Sequence, residues 1–200
     1  MESVRDELLE FWFGDREDDV EAGESQSALW WGKSAETDDL LAGRFGPAAS
    51  AAAAGTLDHW TGSPKGRLAL ILLLDQLPRV IHRGTPGAFA QDEKARVVAD
   101  KGIASGADRL LRPIERVFFY LPFEHSEDPA DQERSVELYR DLAAGVPEKW
   151  KKSFGFYLDF ASRHKAIIDR FGRFPHRNAI LGRESTPEEV EFLKEPGSGF

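Results

Sequence analysis

The chain of 200 residues contains no cysteine. That absence excludes a disulfide framework, a thiolate metal site and a thiol nucleophile. Long apolar runs are also missing. The longest, Leu68 to Leu74, falls far short of the ~20 residues that cross a bilayer, so no membrane partner is expected. Excess basic charge is lacking as well: the net charge is −9 and the pI is near 5.1. A surface of that sign repels a polyanion, and no nucleic acid is expected as a partner. The opening Met-Glu-Ser-Val-Arg-Asp-Glu is charged and leads into an amphipathic stretch, unlike a signal peptide. The expectation is a cytoplasmic protein.

What is present is aromatic mass, with fourteen Phe and five Trp. A chain so equipped can bury enough surface to offset its conformational entropy, so it is not disordered. No segment alternates with period two between turn signals, which leaves helices. Ser3 with Asp6 resembles a capping pair for a first helix carrying Val4, Leu8, Phe11 and Trp12. The acidic stretch from Asp15 to Glu24 has no apolar period and reads as a loop. Further helices are expected from Glu36 to Ala54, from Ser63-Pro64, from Asp92 to Ser105 and from Pro113. Three more follow from Asp128-Pro129, from Glu148 to Phe171 and from Thr186-Pro187-Glu188-Glu189. The second of this larger set, after Ser63-Pro64, is apolar all round and belongs at the centre. Pro78 is expected to end or kink it, and Pro122 to break the helix begun at Pro113.

About eight helices with short connections predict an all-α fold of antiparallel helical hairpins. No repeat of ~34 residues is visible, so a regular solenoid is not read from the residues. No linker rich in Pro, Gly or Ser divides the chain, and residues 1–200 are read as a single helical domain.

Three strings stand apart: Asp75-Gln76-Leu77-Pro78-Arg79 with Arg83, Pro122-Phe123-Glu124-His125-Ser126-Glu127, and Phe171-Gly172-Arg173-Phe174-Pro175-His176-Arg177-Asn178. Each sets polar groups beside Pro and large aromatics after an apolar helix, where side chains reach a shared concave surface. Asp75 at the end of so apolar a helix requires a cationic neighbour, because an unpaired buried charge is costly. His125 and Glu127 suit general acid–base work, with Asp75 as a third candidate; equally, Glu127 and Asp128 suit a helix cap. Gln76, Arg79, Arg83, Arg173, His176, Arg177 and Asn178 are the candidate ligand-binding residues. Arginine forks match carboxylate or phosphate, and the same arginines would serve as staples between helix ends and acidic neighbours.

His164 lies on an apolar stripe and reads as a core histidine. Among His125, Glu127, His164 and His176 no pair has the helical i, i+4 spacing of a metal motif, so no metal and no cofactor are expected. Adjacent Trp30 and Trp31 diverge by about 100° on a helix, which places one in the core and one near the surface.

These strings, with Phe11-Trp12-Phe13-Gly14, Gln132-Glu133 and Leu181-Gly182-Arg183-Glu184-Ser185-Thr186, resemble the bacterial family catalogued as domain of unknown function DUF924. The resemblance covers almost the whole chain. It implies an all-helical fold similar to tetratricopeptide-repeat proteins and carries over no functional residue. Leu77 stands where the family pattern usually has Phe, and Val80 and His82 also depart from it.

Two functions are expected from different classes. One is a protein that binds a small anionic molecule in a pocket built from the three strings, with acid–base catalysis by His125. The other is a helical scaffold for a protein or peptide partner, with the strings purely structural.

Overall fold

The computed structural model describes residues 2–199. The side chain of Ser3, the expected first cap, lies outside the described residues. Helix α1 (Glu2–Phe13) ends at Gly14, whose φ of 67° is a left-handed stop that glycine adopts without steric cost. Helix α2 (Asp19–Trp31) follows and corrects the reading of Asp15 to Glu24 as a loop. Asp18 caps it by accepting from the Val20 and Glu21 N–H groups, and Asp19 and Glu21 occupy the first turn. The acidic run is therefore the start of a helix, where negative charge meets the positive end of the dipole.

Helix α3 (Ala35–Ala53) is capped by Ser34, and α4 (Pro64–Ile71) by Ser63 with Pro64 in its first turn. A π turn (Leu72–Gln76) joins α4 to α5 (Leu77–Ile81) in one rod. The rest of the chain forms α6 (Asp92–Ala104), α7 (Pro113–Glu124), α8 (Pro129–Gly145), α9 (Lys151–Phe171) and α10 (Pro187–Phe192). Counting the α4–α5 rod once, nine helices and no strand are found among the described residues, and the fold is all-α. Pro122 does not break α7, which runs on to Glu124.

Neighbouring helices pack in pairs: α1 on α2, α7 on α8, and α8 along α9. The α4–α5 rod sits among α1, α3, α6 and α7, as its all-round apolar sequence requires. Leu68 through Leu74 are fully buried in it. Burial of each leucine contributes roughly 1.5–3 kcal/mol, so this rod anchors the core. A tetratricopeptide-like arrangement is compatible with this packing.

Of the adjacent tryptophans, Trp30 is buried and Trp31 is 47% exposed. A small second cluster of Ile167, Ile168 and Phe174, covered by Phe171 and Phe192, holds the chain after α9. No helix among the described residues is long and apolar enough to cross a membrane.

Candidate functional site

Pro78 explains how the central rod presents its polar end. Proline has no N–H, and inside a regular α-helix its ring would strike the carbonyl four residues back, that of Leu74. The rod widens instead: the Leu77 N–H donates to the Leu72 carbonyl across the π turn, and the helix then continues to Ile81. The two last residues of that turn are Asp75 and Gln76, both buried. Such single π turns recur at functional sites because they re-aim side chains.

The second piece is the turn between α7 and α8. Gln132 reaches back from α8 and its Nε2 donates to the carbonyls of Glu124 at 2.7 Å and Ser126 at 2.6 Å. Those bonds fix the backbone on either side of His125. Its imidazole then meets Asp75, with Nδ1 2.8 Å from Oδ1. The other carboxylate oxygen of Asp75 accepts from Gln76 Nε2 at 2.6 Å. Arg79 closes the group, with Nη1 3.3 Å from Asp75 Oδ1 and 2.6 Å from the Asp75 carbonyl oxygen. Arg79 also forks onto Asp92 at the start of α6, with both contacts at 2.9 Å.

The third piece comes from the chain after α9. Gly172, with φ of 68°, ends that helix and turns the chain back, and Phe174 is fully buried. Arg177 lies between two aromatic faces, its guanidinium carbon 4.6 Å from the Phe89 ring and 4.5 Å from the Phe174 ring. Its Nη1 is 3.8 Å from Asp92, and its buried Nε has no hydrogen-bond partner among the described residues. His176 packs its ring 5.6 Å from that of Phe174.

Electrostatics sort these groups. Burial alone would raise the Asp75 carboxyl, but the Arg79 charge and the hydrogen bonds from His125 and Gln76 outweigh it and hold it well below the usual range. The His125 imidazole is lowered by burial and by Arg79, with Asp75 opposing. A neutral His125 therefore donates Nδ1–H to an ionised Asp75, and its lone pair sits on Nε2. Nε2 makes no hydrogen bond to a described residue. The His125 side chain is 14% exposed.

Behind this pair stands Glu124, which burial and the Asp75 charge push up to about 8. His164 is 3.3 Å from its carboxyl, and His164 Nδ1 also lies 2.9 Å from the Phe160 carbonyl oxygen. Burial lowers His164 to about 3, and it lowers His176 to about 4 with help from the Arg177 charge. Both imidazoles are neutral at neutral pH. Arg177 falls to about 10, through burial and the nearby Arg79 charge.

The remaining sequence candidates lie elsewhere. Glu127 does not meet His125; it accepts from Arg183 at 2.6 and 2.9 Å and from the Phe174 N–H at 2.8 Å. Arg173 forks onto Glu189 at 2.7 and 2.8 Å and donates to the Glu184 carbonyl. Asn178 donates to Ser185 and Glu189. Arg83 pairs with Asp38 on α3 at 2.9 Å and is well exposed. Among the described residues no group of three or more His, Asp and Glu side chains is arranged to hold a metal ion.

A family model described as bacterial protein of unknown function (DUF924) matches residues 8–197. The chain belongs to the DUF924 family. A solved structure of a protein of unknown function from Agrobacterium tumefaciens is similar to it, at 41% identity and a TM-score of 0.81. That similarity covers 96% of this chain and 97% of the other. No curated protein matches the chain.

Within this DUF924 chain, the strings singled out from sequence do meet around Asp75, His125 and Arg177. Three partners in the group were not among the candidate residues. Asp92 opens α6 and reads from sequence only as a helix-start acid. Phe89 lies in the irregular segment before it. Glu124 was inside one of the strings, and its place at the end of an apolar helix was the available signal of a buried carboxyl.

Proposed function

We propose that the chain binds a small anionic molecule beside His125 and Arg177, with His125 as a general base. The observation that carries this reading is the bond from His125 Nδ1 to a fully buried Asp75, which leaves Nε2 without a partner among the described residues. An ionised carboxylate behind an imidazole fixes the tautomer and stabilises the imidazolium formed when Nε2 takes a proton. Gln76 and Arg79 would be positioning residues, since both engage Asp75.

The anion partner in this reading is Arg177, not the wider arginine set. Arg79 spends its fork on Asp92, Arg173 on Glu189 and Arg83 on Asp38. Arg177 retains a buried Nε without a hydrogen-bond partner among the described residues, and its ion-pair contact to Asp92 is long. A carboxylate or phosphate oxygen would satisfy it with a charge-assisted bond. His176 would flank the same anion as a neutral donor or acceptor.

The test uses inorganic phosphate and acetate as probes, with NMR signals of the His125 ring and the Arg177 Nε–H as the readout. Either probe should move both signals, and a nearby anion should raise the His125 pKa. The Arg177→Lys substitution should weaken binding by about tenfold, as loss of a charged hydrogen bond implies. Signals that stay still with both probes, or a His125 ring signal that moves equally in Arg177→Lys, would sink the proposal.

A further inference from the structure

On another part of the surface, α2 and α9 flank a cavity of about 290 Å³. This is near the lower edge of ligand pockets, which begin at about 300 Å³, so it suits a small group. Its walls include Trp31, Phe156 and Tyr157, with Ile114 of α7 beneath. Trp31 is 47% and Phe156 53% exposed, which is unusual for such large apolar side chains on adjoining helices. Trp31 is held in place by parallel stacking on Phe118, with ring centres 5.7 Å apart.

The charged residues lining the cavity are Asp19 and Glu24, both acidic. Arg112 pairs with Asp19 at 2.6 Å and neutralises it. Glu24 has no ion pair or hydrogen bond to a described residue, and the same is true of the Tyr157 hydroxyl. Aromatic faces attract cations through their quadrupoles, and an unpaired carboxylate at the rim adds to that attraction. An anion or a plain hydrocarbon would gain nothing from Glu24.

We infer that this cavity binds a small organic cation, of the quaternary-ammonium or amine class, between Trp31, Phe156 and Tyr157 with Glu24 as its counter-charge. Gly23 is the residue that keeps the space open. A β-carbon added there would come 3.4 Å from the Tyr157 hydroxyl and 3.7 Å from Ile114, which is ordinary contact. Gly23→Ala therefore folds, gains helix propensity and narrows the cavity.

The experiment titrates the full chain with choline and, separately, with dimethylbutanol, the uncharged carbon isostere of choline. The Trp31 indole NMR signal and Trp fluorescence report occupancy. Choline should shift the Trp31 signal, and the isostere should bind clearly more weakly. Trp31→Ala should lower choline affinity by about tenfold, Glu24→Gln by a few fold, and Gly23→Ala should weaken it without lowering Tm. The inference is overturned if choline leaves Trp31 unmoved or if the isostere binds as well as choline. Choline binding that survives both Trp31→Ala and Gly23→Ala would overturn it too, because the ligand would then sit elsewhere.

Discussion

Two buried carboxylates, Asp75 and Glu189, are each held by an arginine and an amide, yet their surroundings differ in kind. Around Glu189 the bonds converge on the carboxylate from both sides. One oxygen accepts from Arg173 Nε; the other accepts from Arg173 Nη2, Asn178 and the Thr186 N–H. The carboxylate itself is fully engaged; what is left over is the Asn178 Oδ1, buried and without a hydrogen-bond partner among the described residues, and the result is a helix cap tied to the chain after α9. Around Asp75 the network stays open at one end. Its oxygens are filled by Gln76, Arg79 and His125, but His125 keeps a ring nitrogen without a partner among the described residues. Two networks of similar composition thus separate into a staple and a candidate site by what their outermost member leaves unused. Counting arginines and histidines in the sequence cannot make that distinction.

The hardest break of the comparison is Asp75→Ala. Removing the carboxylate leaves Arg79 and His125 facing a buried void without their shared acceptor, and losing one partner of a buried pair costs about 3–5 kcal/mol. Urea unfolding should show a loss of that order, with Asp75→Asn less affected because it keeps the shape and one acceptor. A loss below about 1 kcal/mol would mean that water reaches the cluster freely, and the contrast with the Glu189 staple would fail.

Glu124 sharpens the same contrast through pH. Its folded pKa is about 8, above the ordinary 4.5, so the folded protein holds a proton that the unfolded chain releases. The associated stability is complete below about pH 4.5 and is lost as pH rises through 8. Glu124→Gln keeps a neutral side chain at every pH and should erase this slope. Relative to the natural sequence, the variant should match at about pH 4 and gain on the order of 4 kcal/mol at about pH 8. Denaturant midpoints across that range measure it. Parallel curves for the two proteins would show that Glu124 ionises without penalty.

Much of the architecture was legible because local chemistry dictated it. Ser63-Pro64 and Thr186-Pro187 start helices as their caps require, and Gly172 stops α9 with a positive φ. The apolar run Leu68 to Leu74 declared the central rod. Helix α2 was hidden because its acidic start looks like solvated loop, while its inward residues Ala22 and Trp30 are too sparse to show a period. Pro78 and Pro122 suggested breaks that a π turn and a continuing α7 absorb. A shared concave surface was expected of the three strings; the structure joins Asp75 to His125, while Arg83, Glu127, Arg173 and Asn178 pair elsewhere. The pairing within them was not anticipated: Asp75 with His125 joins residues fifty apart, and Asp92 enters only through the packing of α6 against the rod. Spacing along the chain holds no record of such contacts.

The smallest effect belongs to the Glu189 network. Arg173 lies near the surface, and Glu189 is held down to about 2 chiefly by the Arg173 hydrogen bond. Arg173→Ala removes that fork but leaves Glu189 its bonds from Thr186 and Asn178. The loss should stay local, because α10 and its cap rest on a small separate cluster rather than on the main core. Amide hydrogen exchange should speed up between residues 184 and 193. The His125 ring and the Arg177 Nε–H signals should keep their positions and their response to phosphate. Because Arg177 is four residues from Arg173 on the same stretch, this readout is demanding. If removing Arg173 altered phosphate binding as much as Arg177→Lys does, the staple would be part of the site, and the distinction between the two networks would no longer identify where a ligand binds.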